Sequence, residues 1–258
     1  MFKIALDAGH GKNTPGKRCL KSLDPNETSE WVLNSRICDK VEELLKNYNG
    51  YSLLRVDDIT GKTDVSLSAR TDKANSWWAD FYLSVHHDAG VGGGSGGGPT
   101  VYVYTSPSEK STQYQKIVFE KFIAQVGKFG NRASNLGKKN LHVCRETNMP
   151  AVLIECGFMD SSKDVPLILS EVFADKAARG LTDALVKIGG LTKIKEEENM
   201  ECDFKDIKGH YAEEQIQDLF KMGIVNGMDE THFCPNEAIK RADVAIIARN
   251  VIRYITGK

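Results

Sequence analysis

The sequence lacks both a long hydrophobic run and a strong excess of charge. No apolar stretch reaches the roughly 18 residues of a membrane-spanning helix. The net charge of -1 gives no broad basic footprint of the kind that nucleic-acid-binding proteins carry. We therefore predict neither a membrane nor a nucleic acid as a partner.

Asp7 and His10 interrupt the first apolar run, so we expect no secretory signal. The protein is predicted to stay in the cytoplasm until a membrane lesion made by another protein releases it.

The sequence also lacks paired cysteines. Its six cysteines are scattered, and none forms a C-x-x-C pair. Scattered cysteines in a cytoplasmic chain are most simply free thiols, so we expect no disulfide framework.

Residues 1–190 alternate strand-like and helix-like segments. Alternation of this kind predicts an α/β fold with a mostly parallel, twisted sheet flanked by helices. The predicted strands are FKIALDA, YSLLRV, FYLSV, TVYVYT, LHVC and AVLIE. The predicted long helices lie within residues 29–47, 108–128 and 163–188, and the last segment forms one helix or two.

Two segments break this alternation. Residues 89–99 are glycine-rich and form either a plain connector or a mobile loop at the mouth of a cleft. Residues 191–203 follow Gly189 and Gly190 and are rich in charge, so they are predicted to be a linker. Residues 204–258 then form a second, small helical module.

Polar side chains capable of binding a metal follow three predicted strands. His10 and His86 come directly after strands, and Glu155 ends the strand AVLI. Ligands bind outside the carboxyl ends of strands in open α/β sheets, so these side chains can converge. Glu27, just before the first long helix, is the fourth candidate. Each residue alone also has a structural explanation, such as a hydrogen-bonded turn histidine or a carboxylate at a helix N-terminus.

Two imidazoles and one carboxylate form a ligand set that suits catalytic zinc. His10, Glu27 and His86 would supply that set for one Zn²⁺. Glu155 would then move a proton from water to the leaving nitrogen. From the residues alone, this set of side chains predicts zinc-assisted amide hydrolysis but does not identify which amide bond is cut.

Four sequence blocks extend this hypothesis. LDAGHG (6–11), Glu27 ahead of a helix, SVHHDA (84–89) and PAVLIECGFM (150–159) resemble the signature blocks of the zinc-dependent N-acetylmuramoyl-L-alanine amidases of autolysins and phage endolysins. SLSARTDKAN (66–75) resembles a helix of the same family. The resemblance covers residues 2–188. It implies that His10, Glu27 and His86 bind zinc and that Glu155 is the catalytic carboxylate.

Three further residues near these blocks need separate interpretations. Successive strand residues point to opposite faces, so His87 is not expected to share a metal with His86 and is interpreted as a flanking or substrate-side residue. Asp88 is assigned to the substrate side by the resemblance. Arg70 is interpreted as a structural residue that tethers a loop by hydrogen bonds.

The C-terminal segment resembles one surface-layer-homology repeat. FKDI, GHYAEEQI, GIVNG and FCPNEAIKRAD within residues 204–252 carry the resemblance. It implies binding of a secondary cell-wall polymer, with Arg241 in the binding motif, although Lys240 replaces the usual threonine. A helical packing module without a ligand is the alternative.

A single repeat of this size has a marginal core, which predicts self-association of the module. A second hypothesis concerns KEEENM (195–200). Its purine-rich codons could form a ribosome-binding site, so that translation from Met200 yields a free C-terminal module that pairs with full-length chains.

The resemblance implies a peptidoglycan hydrolase that cuts the amide between N-acetylmuramic acid and L-alanine, in a phage endolysin that lyses its host. The alternatives are a zinc peptidase acting on the stem peptide, a resident bacterial autolysin, and a wall-binding protein on an inactive amidase scaffold.

Overall fold

A computed structural model describes residues 1–131, 135–194 and 202–256. The chain divides into two compact units, residues 1–193 and 194–258. A short strand pairs residues 192–193 with residues 48–49, so these residues belong to the first unit and not to the predicted linker. The segment 195–200, which includes Met200, lies outside the described residues. Among those described, no helix has the length and apolar character needed to cross a membrane.

A sheet of six strands, counted over the described residues, forms the centre of the first unit. The strands are β1 (Phe2–Ala8), β3 (Tyr51–Arg55), β4 (Phe81–Asp88), β5 (Thr100–Val103), β6 (Leu136–Lys138) and β7 (Ala151–Phe158); β2 (Tyr48–Asn49) and β8 (Thr192–Lys193) pair separately. The strand order in the sheet is β3-β1-β4-β7-β5-β6, and every pairing is parallel except that of β5 with β7. This confirms the predicted α/β class with a mostly parallel sheet.

Helices of the first unit connect and flank these strands. They are α1 (Glu30–Leu45), α2 (Leu67–Ser76), α3 (Glu109–Val126), α4 (His142–Arg145), α5 (Val165–Ile168) and α6 (Glu171–Gly189). Ser66, Ser108 and Ser170 cap α2, α3 and α6, because each side chain accepts a backbone N–H of the first turn. The segment 163–188 is thus two helices, which is one of the two predicted outcomes.

The main core lies between the sheet and helices α1, α3 and α6. Strand residues such as Leu6, Leu83 and Ile154 are fully buried against helix residues such as Ile37 and Phe122. Helices α3 and α6 approach closely at Gly180, where a Cβ atom would lie 2.7 Å from the Cα of Phe122. Glycine is therefore needed at this position despite its low helix propensity.

One sequence prediction in this unit is wrong, because LHVC forms the short helix α4 instead of a strand. The glycine-rich segment, predicted as a connector or a mobile loop, makes several hydrogen bonds to the rest of the unit. Backbone N–H groups of Gly90, Val91 and Gly92 all donate to the same Oδ2 of Asp160, at 2.7–2.9 Å.

The second unit is small and helical. It contains a 3₁₀ turn (Lys205–Ile207), α7 (Glu213–Lys221) and α8 (Arg241–Thr256). Phe204, Ile207 and Ile216 form its buried cluster. Helix α8 has no buried residue at all, and Val244, Ile246, Ile252 and Ile255 are at least half exposed.

Candidate metal centre and active site

Three side chains converge at the carboxyl edge of the sheet. His10, Glu30 and His86 each offer one ligand atom, and these atoms lie within 4.8 Å of one another. His10 follows β1, His86 lies near the end of β4, and Glu30 is the first residue of α1. Adjacent parallel strands therefore bring the two histidines together, as predicted.

Arg70 fixes the backbone that carries His10. Its buried guanidinium donates to the carbonyl oxygens of Ala8 and His10, each at 2.8 Å, and pairs with the buried carboxylate of Asp7. His10 has a φ of +67°, a conformation that non-glycine residues rarely adopt. The structural interpretation of Arg70 is confirmed, because these bonds hold the turn in that conformation.

Gly9 makes room for the ring of His86. A Cβ atom at Gly9 would lie 2.0 Å from Cε1 of His86. The ring is oriented by Glu30, whose Oε1 lies 2.9 Å from Nδ1 of His86. The rings of His10 and His86 meet edge to face with centroids 5.0 Å apart. Both rings thus have a defined orientation toward Glu30.

Glu30 lies buried between the two histidines and Lys17. Its side chain is 1% exposed, and Oε2 accepts no hydrogen bond from the described part of the chain, although Nε2 of His10 is 3.3 Å away and Nζ of Lys17 is 3.7 Å away. Burial acts to raise the pKa of Glu30, but the nearby imidazoles of His10 and His86 outweigh it and hold the pKa well below its usual range. A buried carboxylate oxygen without a hydrogen bond, facing two imidazoles, fits a metal ligand.

The sequence-based assignment of Glu27 as the carboxylate ligand is not supported by this geometry. Glu27 points to Lys21, with 3.5 Å between Oε2 and Nζ, and its side chain is 37% exposed. It lies outside the cluster that His10 and His86 form with Glu30. The loop reverses direction before α1, where Arg18 pairs with Ser29 and the N–H of Glu30 donates to the carbonyl of Lys17. This turn brings Glu30 to the histidines and leaves Glu27 on the outside.

Glu155 lies next to this cluster on β7. It is in register with His86 of β4, and its Oε2 is buried without a hydrogen-bond partner in the described residues. The pKa of Glu155 is raised to about 8, mainly by burial; the charges of Glu30 and Asp88 also act to raise this pKa, and those of His86 and Lys17 act to lower it. A carboxyl group with a pKa near neutrality is suited to accept and release a proton.

The structure does not place His87 on the substrate side. Its side chain is 2% exposed, and Nδ1 lies 2.8 Å from Oδ1 of Asn34 on α1. Burial lowers the pKa of His87 to about 3, so the ring is neutral. Asp88 is half-buried at the end of β4, where its backbone carbonyl accepts the N–H of Met159. His87 is therefore corrected to a structural residue, whereas the role of Asp88 stays a prediction.

A cavity of about 310 Å³ opens beside the two histidines. Asp64, Val65, Ser66 and Leu67, before and at the start of α2, line its other wall. Two imidazoles, a buried carboxylate and a second carboxyl of raised pKa beside a cleft are typical of metal-dependent hydrolases.

Comparison with known proteins defines the family. The family model described as N-acetylmuramoyl-L-alanine amidase matches residues 4–187. The chain is 38% identical to the N-acetylmuramoyl-L-alanine amidase CwlM of Bacillus licheniformis, over 75% of this chain and 71% of that protein. It is 31% identical to the endolysin of Bacillus phage SPP1, over 74% of this chain and 67% of that protein. The chain therefore belongs to the N-acetylmuramoyl-L-alanine amidase family and is a hydrolase.

Solved structures agree with this fold. The N-acetylmuramoyl-L-alanine amidase from Clostridium difficile 630 superposes with a TM-score of 0.64 at 26% identity, over 72% of this chain and 95% of that one. The catalytic domain of CwlV from Bacillus (Paenibacillus) polymyxa var. colistinus has the same TM-score at 24% identity, over 72% and 97%.

A second family model, the S-layer homology domain, matches residues 203–245. The resemblance of the C-terminal segment to this repeat is thus confirmed. Arg241 is the first residue of α8 and is exposed.

Proposed function

We propose that this chain hydrolyses the amide between N-acetylmuramic acid and L-alanine in peptidoglycan, with one Zn²⁺ held by His10, Glu30 and His86. The convergence of those three ligand atoms within 4.8 Å, beside Glu155, is the observation that carries the proposal. The relatives named as N-acetylmuramoyl-L-alanine amidases support the identity of the bond.

The residues around the centre have distinct tasks in this reaction. Zinc, when bound, supplies Lewis-acid polarisation of the carbonyl and acidifies a water molecule. Glu155 takes the proton of the attacking water on a carboxylate oxygen and passes it to the leaving nitrogen. Arg70 holds the turn of His10, and Gly9 leaves space for the ring of His86.

The experiment follows the turbidity of purified cell walls and identifies the new chemical groups by mass spectrometry. We expect lysis to stop with chelator and to return with Zn²⁺, and the products to carry a free alanine amino group and intact muramic acid. New amino groups only within the stem peptide would indicate the zinc-peptidase alternative. The endolysin role stays a prediction, because the relatives include both a phage endolysin and bacterial amidases.

We propose that the second unit binds a secondary cell-wall polymer through the surface around Arg241. The exposed side chains of Lys240 and Arg241 offer two cations at the start of α8. The test compares sedimentation of the full chain and of Arg241→Ala with walls before and after extraction of that polymer. We expect extraction and the substitution to weaken binding alike; equal binding to both wall preparations would contradict the proposal.

We infer that the apolar side of α8 packs against a second copy of the same unit. Val244, Ile252 and Ile255 lie on one side of this helix and are 50–75% exposed, and the buried cluster of the unit is too small to cover them. Light scattering is expected to give a mass above that of one chain, and Ile252→Glu with Ile255→Glu is expected to return the monomer. A strictly monomeric wild-type chain would remove this inference.

The shorter product that starts at Met200 also belongs to this proposal. Its support is the composition of residues 195–200. The glutamates there are encoded by purine-rich triplets, which could form a ribosome-binding site just before Met200. Expression should give a second, smaller band that disappears in Met200→Ala. One unchanged band in both cases contradicts an internal start.

A further inference from the structure

Lys17 places a cation at one side of the proposed metal centre. Its Nζ lies 3.7 Å from Oε2 of Glu30, and its side chain is 45% exposed, so the ammonium faces both the centre and solvent. Its charge also acts on Glu155, whose pKa it lowers. The ammonium thus lies at ion-pair distance from Glu30 and acts electrostatically on Glu155. The reaction proposed above does not use it.

The other side of the centre, beside the cavity, carries a carboxylate and apolar side chains instead of an exposed cation. The cavity beside His10 and His86 is lined by Asp64, Val65 and Leu67, and neither Lys17 nor Glu30 contributes to its wall. Asp64 is a half-exposed carboxylate there, and Leu67 is 52% exposed. Arg70 also lines the cavity, but its guanidinium pairs with the carboxylates of Asp7 and Asp64 there, so its charge is compensated. An anionic group is therefore attracted more strongly to the side of Lys17 than to the cavity.

We propose that this asymmetry sets the direction in which the substrate lies, with the stem peptide over Lys17 and the muramoyl group toward the cavity. This inference rests on the proposed function, because it orients the amide named there. In this orientation the Lys17 ammonium binds the free α-carboxylate of the acidic second residue of the stem peptide. Lys17 is then a specificity-determining residue for acidic stem peptides.

The distances permit this contact. Two extended residues span roughly 7 Å, so the carboxylate of the second residue lies about that far from the scissile nitrogen. Lys17 reaches to 3.7 Å from a proposed ligand atom and has a long, flexible side chain. When Glu30 binds a metal ion, the ion compensates the negative charge of Glu30. Lys17 is then available to pair with the substrate.

The test uses two soluble disaccharide muropeptides that differ in one group, a free or an amidated α-carboxyl on the second residue. The wild-type chain, Lys17→Met and Lys17→Arg are compared on both by measuring kcat/KM. Lys21→Met is the matched control, because Lys21 lies in the same loop but pairs with Glu27 outside the centre. A partly exposed ion pair contributes about 1 kcal/mol, so we expect the wild type to prefer the acid about fivefold. Lys17→Met should lose that preference, while Lys17→Arg and Lys21→Met should keep it.

A binding measurement separates substrate contact from support of Glu30. In a Glu155→Gln background, calorimetric titration should show that Lys17→Met weakens binding of the acid about fivefold and leaves binding of the amide unchanged. Equal losses on both substrates would overturn the orientation and make Lys17 a positioning residue for Glu30. If the wild type releases the stem peptide from neither muropeptide, the proposed function itself fails. If it cleaves both with no preference, the orientation alone fails.

Discussion

The two units of this chain differ in how completely each buries its own apolar surface. In the first unit, one continuous core joins the sheet to α1, α3 and α6, and Phe81, Phe122 and Ile154 are fully buried. In the second unit, the buried cluster consists of Phe204, Ile207 and Ile216, and α8 has no buried residue. The first unit has the core of an independent domain, whereas the second has the core of a part of a larger body.

This difference matches the tasks proposed for the units. A catalytic centre must hold its groups within a fraction of an ångström, which requires packed support such as that around Arg70 and Gly9. A binding repeat can obtain its missing packing from another copy. The comparison therefore predicts that substitutions in one unit change hydrolysis and stability, and substitutions in the other change attachment and association.

The largest expected effect is that of Glu155→Gln on hydrolysis. Removal of a proton-transfer group costs about 10²- to 10⁴-fold in rate, so we expect kcat on cell walls to fall by that factor. Sedimentation with walls should stay at the wild-type level, because the second unit is unchanged. Hydrolysis at the wild-type rate would contradict the role of Glu155, and parallel loss of both properties would contradict the division of tasks.

The next effect concerns the stability of the first unit. Phe122→Ala removes a fully buried ring between α3 and α6 and should lower the free energy of unfolding by about 3–5 kcal/mol. Ile59→Ala is its matched control, because Ile59 is 61% exposed and should change stability by less than about 0.5 kcal/mol. Urea denaturation monitored by circular dichroism measures both. Similar values for the two variants would refute the packed core between the sheet, α3 and α6.

The smallest expected effect is on the pH dependence of the stability of the first unit. Burial lowers the pKa of His87 to about 3, against an ordinary value of 6.5. Between these values the unfolded chain binds a proton that the folded chain does not, so stability falls as the pH is lowered from 6.5. In chelator-treated protein, His87→Gln should reduce this slope by up to about 1.4 kcal/mol per pH unit between pH 6 and 4. An unchanged slope would mean that His87 is protonated in the folded state.

Sequence patterns predicted most of the first unit because its signals are strong. The runs FKIALDA, FYLSV and AVLIE are rich in apolar and β-branched residues, and all are strands of the sheet. LHVC is as apolar but contains only four residues, and such short runs do not distinguish a strand from a turn of helix. The sequence of α8 is amphipathic, like that of a helix with one buried face, so it does not itself indicate exposure. Only the small size of the module predicted that its apolar residues would lack cover.

The candidate site was predictable in its histidines and Glu155 but not in its carboxylate ligand. Glu27 and Glu30 are three residues apart, and the direction of the loop before α1 decides which one faces His10. One signal did favour Glu30. Its position continues the buried stripe of α1 through Asn34 and Val41, where a polar residue has to find a buried partner. The loop path depends on backbone bonds such as that between Glu30 N–H and the carbonyl of Lys17, which no sequence pattern encodes.

The most direct measurement of the central claim is the zinc content of three proteins after removal of metal and reloading. Glu30→Gln and Glu27→Gln each replace one carboxylate of the wild type with an amide, at positions three residues apart. We predict about one Zn²⁺ per chain for wild type and Glu27→Gln, and a strongly reduced content for Glu30→Gln in a competition titration. Full zinc content in Glu30→Gln, with loss in Glu27→Gln, would contradict the His10, Glu30 and His86 centre.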